Sequence, residues 1–210
     1  MRAKLLVLAG VVVWIMALTL TTAATNDDRR DDRGRDDDKK DPRIEQGFDI
    51  APVPLHFDRK KRDLVGLGSY LVNAVGDCNG CHSGPSGEYA PGGDPAQGQP
   101  KIINQAAYLQ GGNPNLFGPI LLPRNLTPDH TGRAEGGGSL EEFLNIIRTG
   151  IDPDHAHPQF GPYLQVMPWP VFQNMNDTDL RAIYEYLSAI PCIEGDPGLP
   201  NPRPIGTRCH

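Results

Sequence analysis

The sequence predicts an all-α fold in which three or more helices are separated by long loops. Apolar residues recur at helical spacing in three segments, at about 62–77, 140–149 and 178–189. No segment alternates apolar and polar residues as a half-buried strand would. Hydrophobic residues make up 38% of the 210 positions, and the chain contains 24 Gly and 21 Pro. This composition favours a loop-rich fold whose core is filled in part by a bound group.

Residues 1–24 have the features of an export signal. Arg2 and Lys4 precede an apolar run at 5–20, and small residues follow it up to Ala24. The run is slightly long for a signal core and slightly short for a membrane span of about 20 residues. We expect cleavage after Ala24, with a retained membrane anchor as the alternative. In both cases the rest of the chain leaves the cytoplasm.

Residues 25–61 are expected to form a disordered, charged spacer. The stretch 26–43 mixes blocks of Asp with Arg and Lys, and it has no apolar side chain that could anchor a core. From 44 to 61 the chain is expected to stay irregular, because prolines interrupt it.

The first predicted helix, at about 62–77, runs directly into a cysteine-rich motif. Leu64, Leu67 and Leu71 form its apolar stripe. Gly66 and Gly68 would ordinarily weaken a helix, but small residues also allow a second helix to approach closely. We therefore expect a helix–helix contact at these glycines.

The motif that follows, Cys78-Asn79-Gly80-Cys81-His82, is the attachment signal of a c-type haem. Thiols at this spacing reach the two vinyl groups on one edge of a porphyrin, and the adjacent histidine can ligate the iron. A zinc site would need a second ligand pair at comparable spacing, and a thioredoxin-like redox pair would need a βαβ context. Neither is present, and export suits a haem that is attached outside the cytoplasm. The sequence therefore predicts one covalent haem c on Cys78 and Cys81, with His82 as an axial ligand.

A long stretch rich in Gly, Pro, Asn and Gln runs from 83 to 138. A loop of this length in a compact domain is usually functional or packed on another group. We expect it to wrap the porphyrin, with a short helix near 102–109. The candidate wall residues are its apolar side chains Tyr108, Leu109, Leu116, Phe117, Ile120, Leu121 and Leu122.

The second predicted helix begins at a capping box formed by Ser139 and Glu142 and ends at Gly150. The third begins at Asn176 or Asp177 and ends before Pro191. Each carries one apolar stripe and should bury that face against the core.

The tail, 192–210, contains the remaining cysteine pair, Cys192 and Cys209. Outside the cytoplasm such a pair is expected to form a disulfide, although two free thiols are the alternative. By the chain-entropy model this bridge stabilises the fold by about 3 kcal/mol and pins the tail to the last helix.

The second axial ligand is expected to be Met167, which lies in the proline-stiffened segment 167–170. Met175 is less favoured, because an apolar residue just before a helix cap ordinarily packs against that helix. A thioether stabilises ferrous iron over ferric iron, and two protein ligands leave no position for a substrate. The alternatives are Met175, His155, His157, His130 and an open coordination position.

Charge adds two expectations. Haem propionates are anionic and often meet arginine, so Arg148 and Arg124 are candidate contacts, with an ordinary surface position as the alternative. The net charge of −6 argues against nucleic-acid binding. Residues 44–210 carry 11 Lys and Arg against 18 Asp and Glu, a net charge of −7, so a basic partner surface would attract them.

Taken together, several of these segments resemble the class I cytochromes c, in particular the haem domains associated with exported bacterial dehydrogenases. The resemblance covers about 62–191 and is carried by the segments Gly68–Val72 and Cys78–His82, Phe117–Ile120 and Pro123–Asp129, Glu142–Gly150, Met167–Pro170 and Asp179–Leu187. It implies a cytochrome c-like fold whose first and last helices cross, through Gly66 and Gly68 against Tyr184. It also implies His82 and Met167 as axial ligands. Dehydrogenase subunits of this kind often carry three haem domains, whereas this sequence has one Cys-x-x-Cys-His motif.

The expected function is that of a periplasmic monohaem cytochrome c that carries single electrons between redox partners, a dehydrogenase or an oxidase. A carrier of this kind is not a catalyst by itself. Contact with the membrane is expected only if residues 5–20 are retained. The alternative function is a haem enzyme that acts on a small sulfur compound or on peroxide, which would need an open coordination position.

Overall fold

The structure is a computed structural model that describes residues 40–118, 120–153, 157, 159–195 and 209–210. This part of the chain forms eight α-helices and three short 3-10 helices, and its only β pairing consists of isolated bridges. The all-α prediction is confirmed for the described residues. None of their helices is both long enough and apolar enough to cross a bilayer. The predicted export signal and most of the charged stretch lie outside them.

In chain order the α-helices are α1 (Pro42–Ile50), α2 (Arg62–Tyr70), α3 (Cys78–His82), α4 (Pro114–Phe117), α5 (Ala134–Gly137), α6 (Leu140–Thr149), α7 (Trp169–Phe172) and α8 (Asp177–Ala189). The 3-10 helices are Arg59–Lys61, Pro95–Gln97 and Gln105–Ala107, and a π-helical turn, Leu71–Val75, continues α2. The predicted short helix near 102–109 corresponds to Gln105–Ala107.

Helix α1 corrects the expectation that residues 44–61 are irregular and belong to a disordered spacer. The Asp41 side chain accepts from the backbone N–H of Arg43, and Pro42 occupies the first turn, where its missing N–H costs nothing. Ile44 is buried against α2, so tertiary packing stabilises this short helix. The ordered domain therefore begins some twenty residues earlier than the sequence pattern suggested.

Helix α2 is the centre of the helix packing, and each of its two glycines faces a different neighbour. A Cβ on Gly66 would lie 2.6 Å from the carbonyl oxygen of Ile44 in α1. A Cβ on Gly68 would collide with the backbone of Ala182 in α8 and lie 2.7 Å from Cβ of Tyr186. The expected crossing of α2 and α8 is present, but Gly68 meets Ala182 and Tyr186 there and not Tyr184.

Helices α6 and α8 begin where the sequence predicts. The Ser139 side chain accepts from the N–H of Glu142, and the Glu142 carboxylate accepts from the N–H of Ser139. Asn176 caps α8 by accepting from the N–H of Asp179. Both helices bury their apolar faces in one core, whose members include Val65, Val72, Tyr108, Leu109, Phe143, Ile147, Leu180, Tyr186 and Leu187.

Three polar side chains form a closed hydrogen-bonded ring inside this core. The Tyr108 hydroxyl donates to Oδ1 of Asn73 at 2.5 Å, and the two hydroxyls of Tyr108 and Tyr186 lie 2.8 Å apart. Nδ2 of Asn73 donates to the Tyr186 hydroxyl at 3.1 Å and to the backbone oxygen of Ser69 at 3.0 Å. The ring joins the π-helical turn, the loop before residue 109 and α8, and one of its members, Asn73, lies five residues before Cys78 in the chain.

Candidate haem site

Helix α3 presents the two thiols of the attachment motif on one turn. Cys78 and Cys81 are three residues apart, which places them on the same side of a helix. Cys78 is half-buried, Cys81 is exposed, and both are free thiols. Burial, with a smaller effect of Asp77, raises the pKa of Cys78 to about 12 and raises that of Cys81 as well. The two thiols therefore lie at the spacing that thioether bonds to the two vinyl groups of a haem require.

His82 follows on the same turn and is held through one ring nitrogen. Its Nδ1 lies 2.7 Å from the backbone oxygen of Arg124. A carbonyl oxygen only accepts, so Nδ1–H is the donor and Nε2 keeps the lone pair that a metal ligand needs. Burial lowers the pKa of His82, which favours the neutral imidazole. The imidazole ring of His82 is therefore oriented as a neutral ligand whose Nε2 can bind a metal.

The backbone around Arg124 fits closely against the glycine-rich loop. The N–H of Gly111 donates to the oxygen of His82 at 2.7 Å, and the N–H of Gly112 donates to the oxygen of Pro123 at 2.8 Å. A Cβ on Gly111, whose φ is 69°, would lie 2.5 Å from the carbonyl group of Arg124. The glycine therefore allows this loop to clamp the histidine and its acceptor together.

Met167 is half-buried and packs against the same apolar core as Cys78. The residue before it, Val166, has φ of 62°, a strained conformation for a β-branched side chain. The N–H of Trp169 donates to the oxygen of Met167 at 2.8 Å, and the Trp169 ring lies directly on Gly150 at the end of α6. The segment that carries Met167 is therefore tightly turned and anchored on both sides.

The other candidate ligands have evident structural roles where the structure describes them. Met175 packs against the helix contacts of α1, α2 and α8 as well as against the main core. Nε2 of His157 donates to the oxygen of Ile120 at 2.8 Å, and its Nδ1 accepts from the N–H of Gln159. His130 is an exposed side chain beside Asp129. His155 lies outside the described residues. These contacts favour Met167, whose role as a ligand stays a prediction.

The loops around Met167 and residue 120 expose seven large apolar side chains among the described residues. The His157 contact ties these two loops together. A flat hydrophobic macrocycle would cover such a surface, so these side chains and the donor set of Cys78, Cys81 and His82 are each compatible with a haem. The exposed side chains in these loops are Leu116, Phe117, Ile120, Phe160, Tyr163, Val166 and Val171. Of the other predicted wall residues, Tyr108 and Leu109 are buried in the core.

Both arginines that were candidates for propionate contacts have protein partners. Arg148 donates to the backbone oxygen of Gln173 and, at 2.7 Å, to the Asp177 carboxylate. Nη1 of Arg124 lies 3.1 Å from the buried carboxylate of Asp152 and 3.7 Å from that of Glu135. A propionate contact of either residue stays a prediction. The sequence pattern did not point to Asp152 or Glu135 as partners of Arg124, because partners far apart in the chain leave no periodic signal.

The predicted bridge between Cys192 and Cys209 is present, with Cα atoms 5.7 Å apart. The residue after Cys192 is bonded to the loop that holds His82. Ile193 accepts from Asn125 at 2.7 Å through its carbonyl oxygen, and its N–H donates to Thr127 at 3.1 Å. The disulfide therefore pins the tail at the end of α8 and also supports the segment next to Arg124.

Comparison with known proteins gives components of dehydrogenases as relatives. No protein-family model matches the chain. It is 27% identical over 165 residues to the gluconate 2-dehydrogenase cytochrome c subunit of Pantoea cypripedii, which covers 76% of this chain and 31% of that protein. It is 28% identical over 143 residues to the fructose dehydrogenase cytochrome subunit of Gluconobacter japonicus, covering 68% of this chain and 23% of that protein.

A third relative is the alcohol dehydrogenase (quinone) cytochrome c subunit of Gluconobacter oxydans. It is 27% identical over 133 residues, which are 62% of this chain and 22% of that protein. The chain thus spans about a third or less of the length of these curated relatives. The resemblance to cytochrome c subunits of dehydrogenases, which the motifs suggested, is confirmed by these three relatives.

Proposed function

We propose that this chain is an exported monohaem cytochrome c that carries single electrons. The observation that carries the proposal is the arrangement of Cys78, Cys81 and His82 on one helical turn, with Nδ1 of His82 bound to Arg124 and Nε2 free to ligate. The similarity to cytochrome c subunits supports the same proposal. A haem bound here supplies reversible one-electron exchange between ferric and ferrous iron.

Each protein group has a separate task in that function. The thiols of Cys78 and Cys81 tether the group to α3, so its edge stays next to an exposed part of the surface. His82 would hold the iron through a neutral ring nitrogen, and Met167 would hold it through a thioether. Because a thioether favours the softer ferrous ion, this pair of ligands gives a relatively oxidising carrier. Two protein ligands also exclude a substrate from the iron.

The partner that fits this carrier is a dehydrogenase that delivers electrons outside the cytoplasm. The curated relatives are cytochrome subunits of dehydrogenases, and the predicted export signal leads out of the cytoplasm. The net charge of −7 over residues 44–210 favours a partner with a basic docking surface. Added salt should therefore slow electron transfer, and rates that do not change with ionic strength would contradict this docking mode.

The ligand assignment is tested by absorption spectroscopy of the haem-loaded protein and of two matched variants. Met167→Ala should abolish the Fe(III)–S(Met) charge-transfer band and lower the midpoint potential, since the thioether that favours ferrous iron is removed. Met175→Ala removes the same side chain from the helix contacts and should leave the band intact. Loss of the band in Met175→Ala alone would identify the other methionine. A high-spin wild type would instead support the haem-enzyme alternative.

A further inference from the structure

Arg124 is placed to act on the proposed iron ligand through two carboxylates. Its carbonyl oxygen accepts the proton of Nδ1 of His82, while its guanidinium group reaches Asp152 from one nitrogen at 3.1 Å. A second nitrogen donates to the backbone oxygen of Glu135 at 3.4 Å, and the Glu135 carboxylate lies 3.7 Å from the first. One residue thus connects the histidine to two acidic side chains.

These three charges are shielded from solvent. Asp152 is only 3% exposed, and the side chains of Glu135 and Arg124 are 12% and 23% exposed. Charges in such an environment are screened much less than charges on the surface. Two carboxylates thus face one guanidinium group, next to the backbone that carries the His82 acceptor.

The cluster also joins elements that are distant in the chain. Glu135 lies in α5 in the left-handed region, with φ of 54°, and Asp152 follows α6 closely. The Arg124 side chain therefore fixes the carbonyl that orients His82 by anchoring it to two separate segments. A displacement of this side chain would move the acceptor as well as the charge.

We infer that Arg124, Glu135 and Asp152 form a positioning cluster that orients His82, and that its two carboxylates lower the midpoint potential of the haem. This inference rests on the proposed function, since it concerns the potential of a group bound at His82. A buried negative charge near the iron stabilises the more positive ferric state, so its removal makes reduction easier. The lost charge should raise the potential.

The test is potentiometric titration of the haem-loaded full chain and of four variants. Asp152→Asn keeps the shape of the side chain and removes its charge. It should raise the reduced-to-oxidised ratio at a fixed solution potential by up to about tenfold, which corresponds to a rise of about 59 mV in the midpoint potential for one electron. Glu135→Gln should give a smaller rise, because its carboxylate is farther from Arg124. Asp152→Glu restores the charge and should return the potential towards that of the wild type.

The matched control is Asp177→Asn, which removes a carboxylate in α8 that is paired with Arg148 at 2.7 Å but is 87% exposed. It should leave the potential unchanged, because solvent screens an exposed pair. A second readout is the exchange rate of the Nδ1 proton of His82 by NMR, which should rise in Asp152→Asn and not in Asp177→Asn.

The outcomes separate this inference from the proposed function. A wild type that binds no covalent haem refutes the function itself. A haem-loaded protein in which Asp152→Asn and Asp177→Asn have the same potential refutes only the cluster. If Asp152→Asn does not fold, the midpoint potential of Glu135→Gln is compared with those of the wild type and Asp177→Asn instead. An unchanged potential in Glu135→Gln then overturns the inference.

Discussion

The buried ring of Asn73, Tyr108 and Tyr186 leads to a graded prediction, because its hydrogen bonds have fixed directions. Nδ2 of Asn73 faces the backbone oxygen of Ser69, so its Oδ1 must be the atom that Tyr108 donates to. The Tyr108 oxygen then accepts from Tyr186, whose own oxygen accepts from Asn73. Every hydroxyl donates once and accepts once, so each deletion removes a known set of bonds.

The cost of each deletion follows from the partners that it leaves. Tyr108→Phe leaves Oδ1 of Asn73 without this donor and the Tyr186 hydroxyl without its acceptor. Each buried polar group that is left unpaired costs about 1–3 kcal/mol. We expect a total loss of about 2–4 kcal/mol of unfolding free energy. Tyr186→Phe should lose about 1–2 kcal/mol, because Asn73 keeps Ser69 and the Tyr108 hydroxyl keeps Asn73 as its acceptor.

The control is Tyr184→Phe on the same helix. Its hydroxyl donates to the oxygen of Gly138 at 2.8 Å in a partly buried position, so its removal should cost about 0.5–1 kcal/mol. The measurement is guanidinium unfolding of the haem-loaded chain followed by far-ultraviolet circular dichroism. The double variant of Tyr108 and Tyr186 should lose less than the sum of the singles, since both singles break the same bond.

Two results would refute this reasoning. One is a Tyr184→Phe variant that loses as much stability as Tyr108→Phe, which would mean that the ring adds nothing beyond an ordinary hydroxyl contact. The other is strict additivity in the double variant, which would mean that the two hydroxyls are not bonded to each other.

The same tyrosines set a dependence on alkaline pH. Burial raises the pKa of Tyr108 well above 10.0 and also raises that of Tyr186, with their mutual contact adding to the effect on Tyr108. Above about pH 10 the unfolded chain loses phenol protons that the folded chain keeps, so stability falls as the pH rises through this range. Tyr108→Phe should make this fall shallower, and an unchanged slope would contradict the assignment.

Two further predictions concern packing and the tail. Gly68→Ala should lose about 2 kcal/mol or more of unfolding free energy, because the new methyl group meets the backbone of Ala182. The control is Gly138→Ala, where the nearest contact of the new methyl group is at 3.6 Å, and it should change the unfolding free energy by less than about 0.5 kcal/mol. Equal effects in the two variants would contradict the close crossing. Replacing Cys192 and Cys209 together by Ser should cost about 3 kcal/mol relative to the oxidised wild type, and the reduced wild type should lose about as much. An unchanged unfolding midpoint would contradict a stabilising bridge.

Local patterns predicted much of the helical framework. The stripe of Leu64, Leu67 and Leu71 predicts α2, and the capping box of Ser139 and Glu142 predicts α6, because both depend on residues within a few positions of one another. Helix α1 was missed although Asp41 and Pro42 are good starting residues. Its apolar face is too short to show a period, and contacts with α2 decide that it folds.

In the candidate site, too, the features set by neighbouring residues could be predicted, and those set by residues distant in the chain could not. The spacing of Cys78, Cys81 and His82 is local and predicts the haem motif directly. The disulfide could be predicted because two cysteines remain outside this motif and the chain is expected to leave the reducing cytoplasm. The acceptor of His82 lies 42 residues away, and the carboxylate that holds Arg124 lies a further 28 residues along the chain. Such pairs leave no pattern in one sequence, because any polar residue in a loop would read in the same way.

In the proposed electron carrier, the attachment motif would hold the haem at α3. The orientation and basicity of His82 would depend on Arg124, and therefore on α5 and the segment after α6. The tail contributes too, because Ile193 holds Asn125, the neighbour of Arg124. Changes in these distant loops can therefore shift the potential while Cys78–His82 stays the same, so chains with an identical motif are free to serve partners of different potential.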